Sequence, residues 1–153
     1  PAQLMVTGPS EDTMGNPVQR PQPDIEDPLY QAHFQGLKEQ QLRVQQCDAC
    51  GQLQWPPRDL CKQCHGDRFH WPVMPDQAVV YTYSVVYRAP HPWFKEHLPY
   101  AIVVAELENG LRLLGNAFGA DVEKIQCGVR VKAHFQLDED SGVCFLQWVP
   151  TTS

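Results

Sequence analysis

Two identical brackets, Cys47-Asp48-Ala49-Cys50 and Cys61-Lys62-Gln63-Cys64, constrain the fold of this chain more than any other feature. Two C-x-x-C pairs ten residues apart place four thiolates where one tetrahedral ion can gather them. Thiolates suit zinc, and a two-residue spacer lets both sulfurs of a pair turn toward one ion. Gly51, directly after Cys50, offers the permissive backbone that such a knuckle needs. The second knuckle is less regular, with His65 inserted before Gly66. Four thiolates close the coordination shell and leave no position for a reacting water, so the expected zinc is structural. His65 and His70 are further ligands that could each replace a thiolate. Two disulfides are the alternative in an oxidising compartment, whereas a redox dithiol needs only one C-x-x-C.

The 153 residues, 42% of them hydrophobic, suit a small metal-stapled module beside a small barrel. No stretch approaches the roughly 18 apolar residues of a membrane span, and the first residues do not read as an apolar leader. With four paired thiols, a soluble protein of a reducing, cytoplasmic compartment is expected. The formal charge of −6 is uneven: residues 1–28 carry five acids against Arg20 alone, 29–77 balance five with five, and 78–153 hold eight against six. Neither folded segment therefore offers the basic surface that a phosphate backbone requires.

Four regions follow. Residues 1–26, acidic and rich in proline with few aromatics, read as a disordered tail. Residues 27–41 read as a helical segment, with Asp27 as N-cap, Pro28 at the first helical position, Tyr30, Phe34 and Leu37 on one face and Gly36 as an interruption. Those three apolar side chains suit core packing better than a partner groove. Residues 42–77 form the zinc ribbon, entered by a strand in which Leu42, Val44 and Gln46 share a face.

From 78 to 153 the pattern is β. Runs at 79–87, 101–107, 111–117, 129–137 and 143–149 are rich in Val, Ile, Tyr and Phe. Asn109-Gly110 marks a hairpin, residues 138–142 a looser one, and 121–126 a short helix capped by Asp121. Five strands with a helix between the third and fourth describe an OB-fold barrel. The expected fold is thus mainly β: a short N-terminal helix, a rubredoxin-like zinc ribbon and a five-stranded OB-fold.

A ribbon beside an OB-fold raises the possibility of nucleic-acid binding. Single-strand binders place aromatics and bases on the second and third strands, yet 101–107 and 111–117 hold no aromatic and only Arg112. Chemistry is equally hard to find, since His91, His97 and His134 have no carboxylate or nucleophile beside them in a recognised pattern. His134 shares the solvent side of its strand with Lys132 and Gln136, and Cys127 and Cys144 read as ordinary reduced thiols. The 88–100 connection is more informative. Pro90, Pro92 and Pro99 stiffen it, Trp93 and Phe94 stand side by side, and Arg88, His91, Lys95 and Tyr100 flank them. The loop between the first two strands is a usual ligand-facing loop of an OB-fold, so these residues either bind a ligand or partner or cap the barrel.

The ordered set of motifs, 42–51, Gln54-Trp55-Pro56-Pro57-Arg58, the second cysteine pair, 80–90 and Leu113-Leu114-Gly115-Asn116, resembles the rubredoxin-type zinc ribbon plus OB-fold family that accompanies thiolases. The likeness covers roughly residues 27–149, with Cys64-His65-Gly66 departing from the usual Cys-Gly knuckle. It implies an accessory, non-catalytic subunit that docks on a thiolase-like, lipid-transfer-protein-like catalytic subunit in a hetero-oligomer. It also implies that the two share an acyl-CoA thioester, with retro-aldol cleavage of a steroid side-chain acyl-CoA as the leading reaction. A thiolase-type acyltransferase or acyl-CoA synthase partner is the alternative within that class. Some members of the family form the tail half of a chain whose front is a hydratase.

Overall fold

The computed structural model describes residues 18–151, so positions 1–17 of the expected tail lie outside the described residues. Helix α1 (Gln31–Lys38) follows a turn in which the Asp27 carboxylate accepts the Leu29 N–H at 2.9 Å. Asp27 therefore caps that turn and not the helix, which starts three residues beyond Pro28 on the uncapped Tyr30. Gly36 does not interrupt α1 either. It is buried within it, where a Cβ would meet Arg43 Cγ at 2.9 Å, so its missing side chain lets the returning chain cross close over the helix.

The ribbon is built from two-residue and three-residue strands that the cysteine knuckles hold in place. Strand β1 (Leu42–Arg43) pairs with β5 (Val73–Met74), while β2 (Gln45–Cys47) lies between β3 (Leu53–Gln54) and β4 (Phe69–His70). Because the chain changes sheets at Val44, the expected alternation breaks there: Leu42 and Val44 are buried, and then Gln45 is buried in place of Gln46. Buried amides need partners, and Gln45 finds one in the Arg58 N–H at 3.0 Å. Gln54 accepts the Lys62 N–H at 3.0 Å, which ties the sheet to the second knuckle.

The five expected barrel runs are present, with ends shifted by at most two residues: β6 (Gln77–Val86), β7 (Tyr100–Glu106), β8 (Arg112–Ala117), β9 (Arg130–Leu137) and β10 (Cys144–Pro150). They close in the order β10-β8-β7-β6-β9. The Asn109-Gly110 hairpin is present, with Gly110 at φ +90°. The helix between the third and fourth strands is a 3-10 turn at Gly119–Lys124, set by Phe118 and not capped by Asp121. Along β9 Val131 and Ala133 face inward while Lys132, His134 and Gln136 face solvent.

Closure depends on one close approach. Strand β10 meets β8 in parallel, and at that seam the fully buried Trp148 lies over Gly115 and donates its indole N–H to the Leu113 carbonyl at 3.2 Å. A Cβ on Gly115 would sit 2.7 Å from Trp148 Cδ1. Helix α1 lies against β9 and β10, so Leu37, Leu42 and Val44 join Val103, Leu113 and Trp148 in one hydrophobic core shared by helix, ribbon and barrel.

Candidate functional site

The two knuckles are built alike. In the first, Gly51 N–H bonds the Cys47 carbonyl and Cys47 N–H the Gln52 carbonyl, both at 2.9 Å; in the second, His65 N–H bonds the Cys61 carbonyl at 2.9 Å and Cys61 N–H the Gly66 carbonyl at 2.8 Å. His65 thus occupies the position of Gly51, and both have left-handed backbones, at φ +65° and +77°. The irregular second knuckle keeps the geometry by straining a non-glycine residue into it.

Together the knuckles bring all four sulfurs within 4.8 Å of one another, with Cys47 and Cys64 3.5 Å and Cys50 and Cys61 3.6 Å apart. Sulfurs around a tetrahedral zinc, at ~2.3 Å each, stand ~3.8 Å apart, so the cluster fits that ion. Backbone N–H groups of Cys64 and Gln63 lower the pKa of the Cys61 thiol, while Cys50, though bonded by Gln52, is raised overall by lost hydration and by the other three sulfurs, so the four titrate as one cluster. His70 is not a ligand: its nitrogens are taken by Asp48 at 2.6 Å and Gln46 at 2.8 Å. His65 is exposed and outside the cluster. Four thiolates so placed would close the shell of such an ion, as a structural zinc requires.

The 88–100 segment folds into a one-turn helix, α2 (Pro92–Lys95), capped by the His91 ring, which accepts the Trp93 N–H at 3.1 Å. Trp93 stacks on His97 at 3.7 Å between ring centroids and meets Phe118 edge-on, while Phe94 lies 5.0 Å from Tyr100. Of the residues singled out from the sequence, His91, Trp93, Phe94 and Tyr100 therefore come together in one aromatic layer over the barrel. Arg88 and Lys95 stay exposed, with no side-chain hydrogen bond or ion pair among the described residues.

Sequence reasoning misses Arg20. Its neighbours in the chain place it in a disordered tail, yet it is 8% exposed, with its guanidinium 3.7 Å from the Phe145 ring centroid and near Trp93 and Phe118. The chain from Arg20 to Pro23 is thus a strap on the barrel, a correction to the tail reading for those residues, because three rings recruit one cation. The available signal is that Arg20 is the only base in the first 28 residues. Also missed is His33, buried against Trp55 at 4.5 Å between centroids, where loss of hydration pushes its pKa down to about 4.

A closed four-thiolate ribbon fused to a closed five-stranded barrel defines a zinc-ribbon/OB-fold module with no helix long and apolar enough to cross a membrane among its described residues. Residues 34–70 match the family model of the ChsH2 rubredoxin-like zinc ribbon domain, and residues 71–136 that of the ChsH2 C-terminal OB-fold domain. The chain belongs to the ChsH2 family, also called DUF35.

It is 34% identical over 97 residues to a DUF35 domain-containing scaffold protein of Methanocaldococcus jannaschii, covering 63% of this chain and 68% of that one. It is 35% identical to a probable enoyl-CoA hydratase alpha subunit of Thermomonospora curvata, over 64% of this chain and 30% of the relative. Identity to the 3-oxo-4,17-pregnadiene-20-carboxyl-CoA hydratase alpha subunit of Mycobacterium tuberculosis is 31%, over 67% and 32%. The chain thus spans about a third of the length of the two hydratase subunits. Among solved structures, the Ltp2-ChsH2(DUF35) aldolase contains a chain similar over 86% of this one and 100% of its own length, with a TM-score of 0.75 and 29% identity.

Proposed function

We propose that this chain is the zinc-stapled accessory subunit of a thiolase-like acyl-CoA lyase, with retro-aldol cleavage of a steroid side-chain acyl-CoA as its reaction. The carrying observation is the end-to-end likeness to one component of the Ltp2-ChsH2(DUF35) aldolase, supported by relatives named as scaffolds and as a steroid-type CoA hydratase subunit. The histidines fit a supporting role: His91 caps its own helix, His97 bonds the Trp93 carbonyl at 2.7 Å, and His33 is buried and neutral. The partner carries the chemistry. In this reading the zinc fixes the ribbon, and the 88–100 segment docks on the catalytic subunit. Exposed Arg88 and Lys95 supply positive charge toward the phosphates of a CoA thioester bound between them.

The test is co-expression with a thiolase-like candidate, followed by light scattering and lyase assay of the complex. The reading expects a hetero-oligomer whose dissociation constant rises about tenfold or more in Arg88→Glu/Lys95→Glu, two exposed changes that leave the thermal midpoint unmoved. A double variant that assembles and turns over acyl-CoA normally removes the loop from the interface. Failure to assemble with any thiolase-like protein removes the reading.

A further inference from the structure

Between α1, the Trp55 corner of the ribbon and strands β8 and β10 lies a groove of about 480 Å³, in the size range of small-molecule sites. Its walls are largely apolar, with Tyr30, Phe34, Trp55, Leu114 and Leu146 among them, and the Arg20–Pro23 strap forms its rim. Gln22 and Asn116 bring amides to this lining, and Arg20 and His33 bring two groups of opposite chemistry.

The first is Arg20. Its guanidinium faces are covered by Trp93, Phe118 and Phe145, but its five N–H donors lie in the plane, where rings cannot satisfy them. One bonds Asn116 Oδ1 at 3.3 Å, and no carboxylate of the described residues pairs with it. Asp138 acts on it only through space and is bonded instead by Gln22 Nε2 at 3.2 Å and Ser141 Oγ at 2.6 Å. A buried cation that no carboxylate of the described residues contacts directly is costly, and this one lines an apolar groove.

The second is His33. A carbonyl can only accept, so the contact of its Nδ1 with the Arg43 carbonyl at 3.3 Å places the proton there. That leaves Nε2 a bare lone pair, without a hydrogen-bond partner among the described residues. A lone pair repels an anion. The two groups therefore give the groove polarity, with an anionic end accepted at the Arg20 rim and excluded at His33.

From this geometry we infer that the groove binds an amphipathic carboxylate, its apolar body along α1, Leu114 and Leu146 and its carboxylate completing the hydrogen bonds of Arg20. The site lies on this chain alone and goes beyond the docking role, so it is tested without a partner.

The probes are decanoate and decanol, titrated into the zinc-loaded chain by calorimetry with tryptophan fluorescence as a second readout. Decanoate is expected to saturate one site per chain and to bind at least tenfold tighter than decanol. Arg20→Met should reduce decanoate to the level of decanol, and Arg20→Lys, which keeps the charge, should retain the preference. Leu114→Trp, a change at a 60% exposed position that fills the groove without touching the core, should weaken both probes. No saturation at millimolar probe, equal affinity for the two probes, an unchanged Arg20→Met or Leu114→Trp, or loss of the preference in Arg20→Lys each overturns the assignment.

Discussion

Replacing Gly115 by Ala adds a single methyl group, and the structure gives the consequence a size. That methyl would stand 2.7 Å from Trp148 Cδ1 and 3.0 Å from the Leu146 carbonyl, inside contact distance on both sides. The indole cannot swing away freely, because it is fully buried and its N–H is bonded to the Leu113 carbonyl at 3.2 Å. Overpacking of this kind costs about 1–3 kcal/mol, and loosening the indole hydrogen bond adds about 1 kcal/mol. The smaller backbone entropy of an unfolded Ala returns about 0.5–1 kcal/mol, so the net loss is about 1–3.5 kcal/mol. For a chain of this size that lowers the thermal midpoint by about 2–14 °C. Urea unfolding followed by tryptophan emission, with zinc measured on the same sample, is the assay. The midpoint should fall by about 0.5 M or more and the emission shift to the red, while zinc stays bound, because the fault lies at the β8–β10 seam and not in the ribbon. A Gly115→Ala variant with an unmoved midpoint and unshifted emission would refute the view that Gly115 permits barrel closure.

His33 gives the protein a pH dependence of definite sign. Burial lowers its pKa from 6.5 to about 4, so between those values the unfolded chain binds the extra proton and stability rises with pH, by up to about 3 kcal/mol across the window. The difference in unfolding free energy between the wild type and His33→Phe, measured from pH 4 to 7, should carry that slope; a flat difference excludes a neutral buried ring. At the second knuckle, His65→Gly relieves a left-handed backbone costing about 1–2 kcal/mol for an L-residue and returns about 0.5–1 kcal/mol of glycine entropy. It should therefore raise stability by up to about 1.5 kcal/mol with one zinc per chain retained by elemental analysis; a destabilised variant would show that the His65 side chain has a role of its own.

Much of the architecture was legible because it is written in local chemistry. The cysteine spacing specified a closed zinc site, and β-branched runs separated by Asn109-Gly110 and the 138–142 turn specified five strands almost to the residue. Where expectations slipped, a contact from elsewhere had outweighed the local signal. Gly36 stays inside α1 because Arg43 crosses over it, and the ribbon alternation fails at Gln46 because the chain changes sheets at Val44. The aromatic pair Trp93 and Phe94 was legible as a pair, but not its place beneath Arg20 and beside Phe118.

The sequence by itself determined the pairing of the four cysteines, the strand count and the family resemblance, since each rests on spacing or patterning within a few tens of residues. Only the tertiary structure decided that Arg20, read from its neighbours as part of a solvated tail, is buried in an aromatic cage and bonded to Asn116, 96 positions away. Only it gave the groove its polarity and Gly115 its role. The physical reason is that burial and hydrogen-bond partnership belong to three-dimensional neighbours, and a side chain's neighbours across the core leave no periodic trace in its own segment.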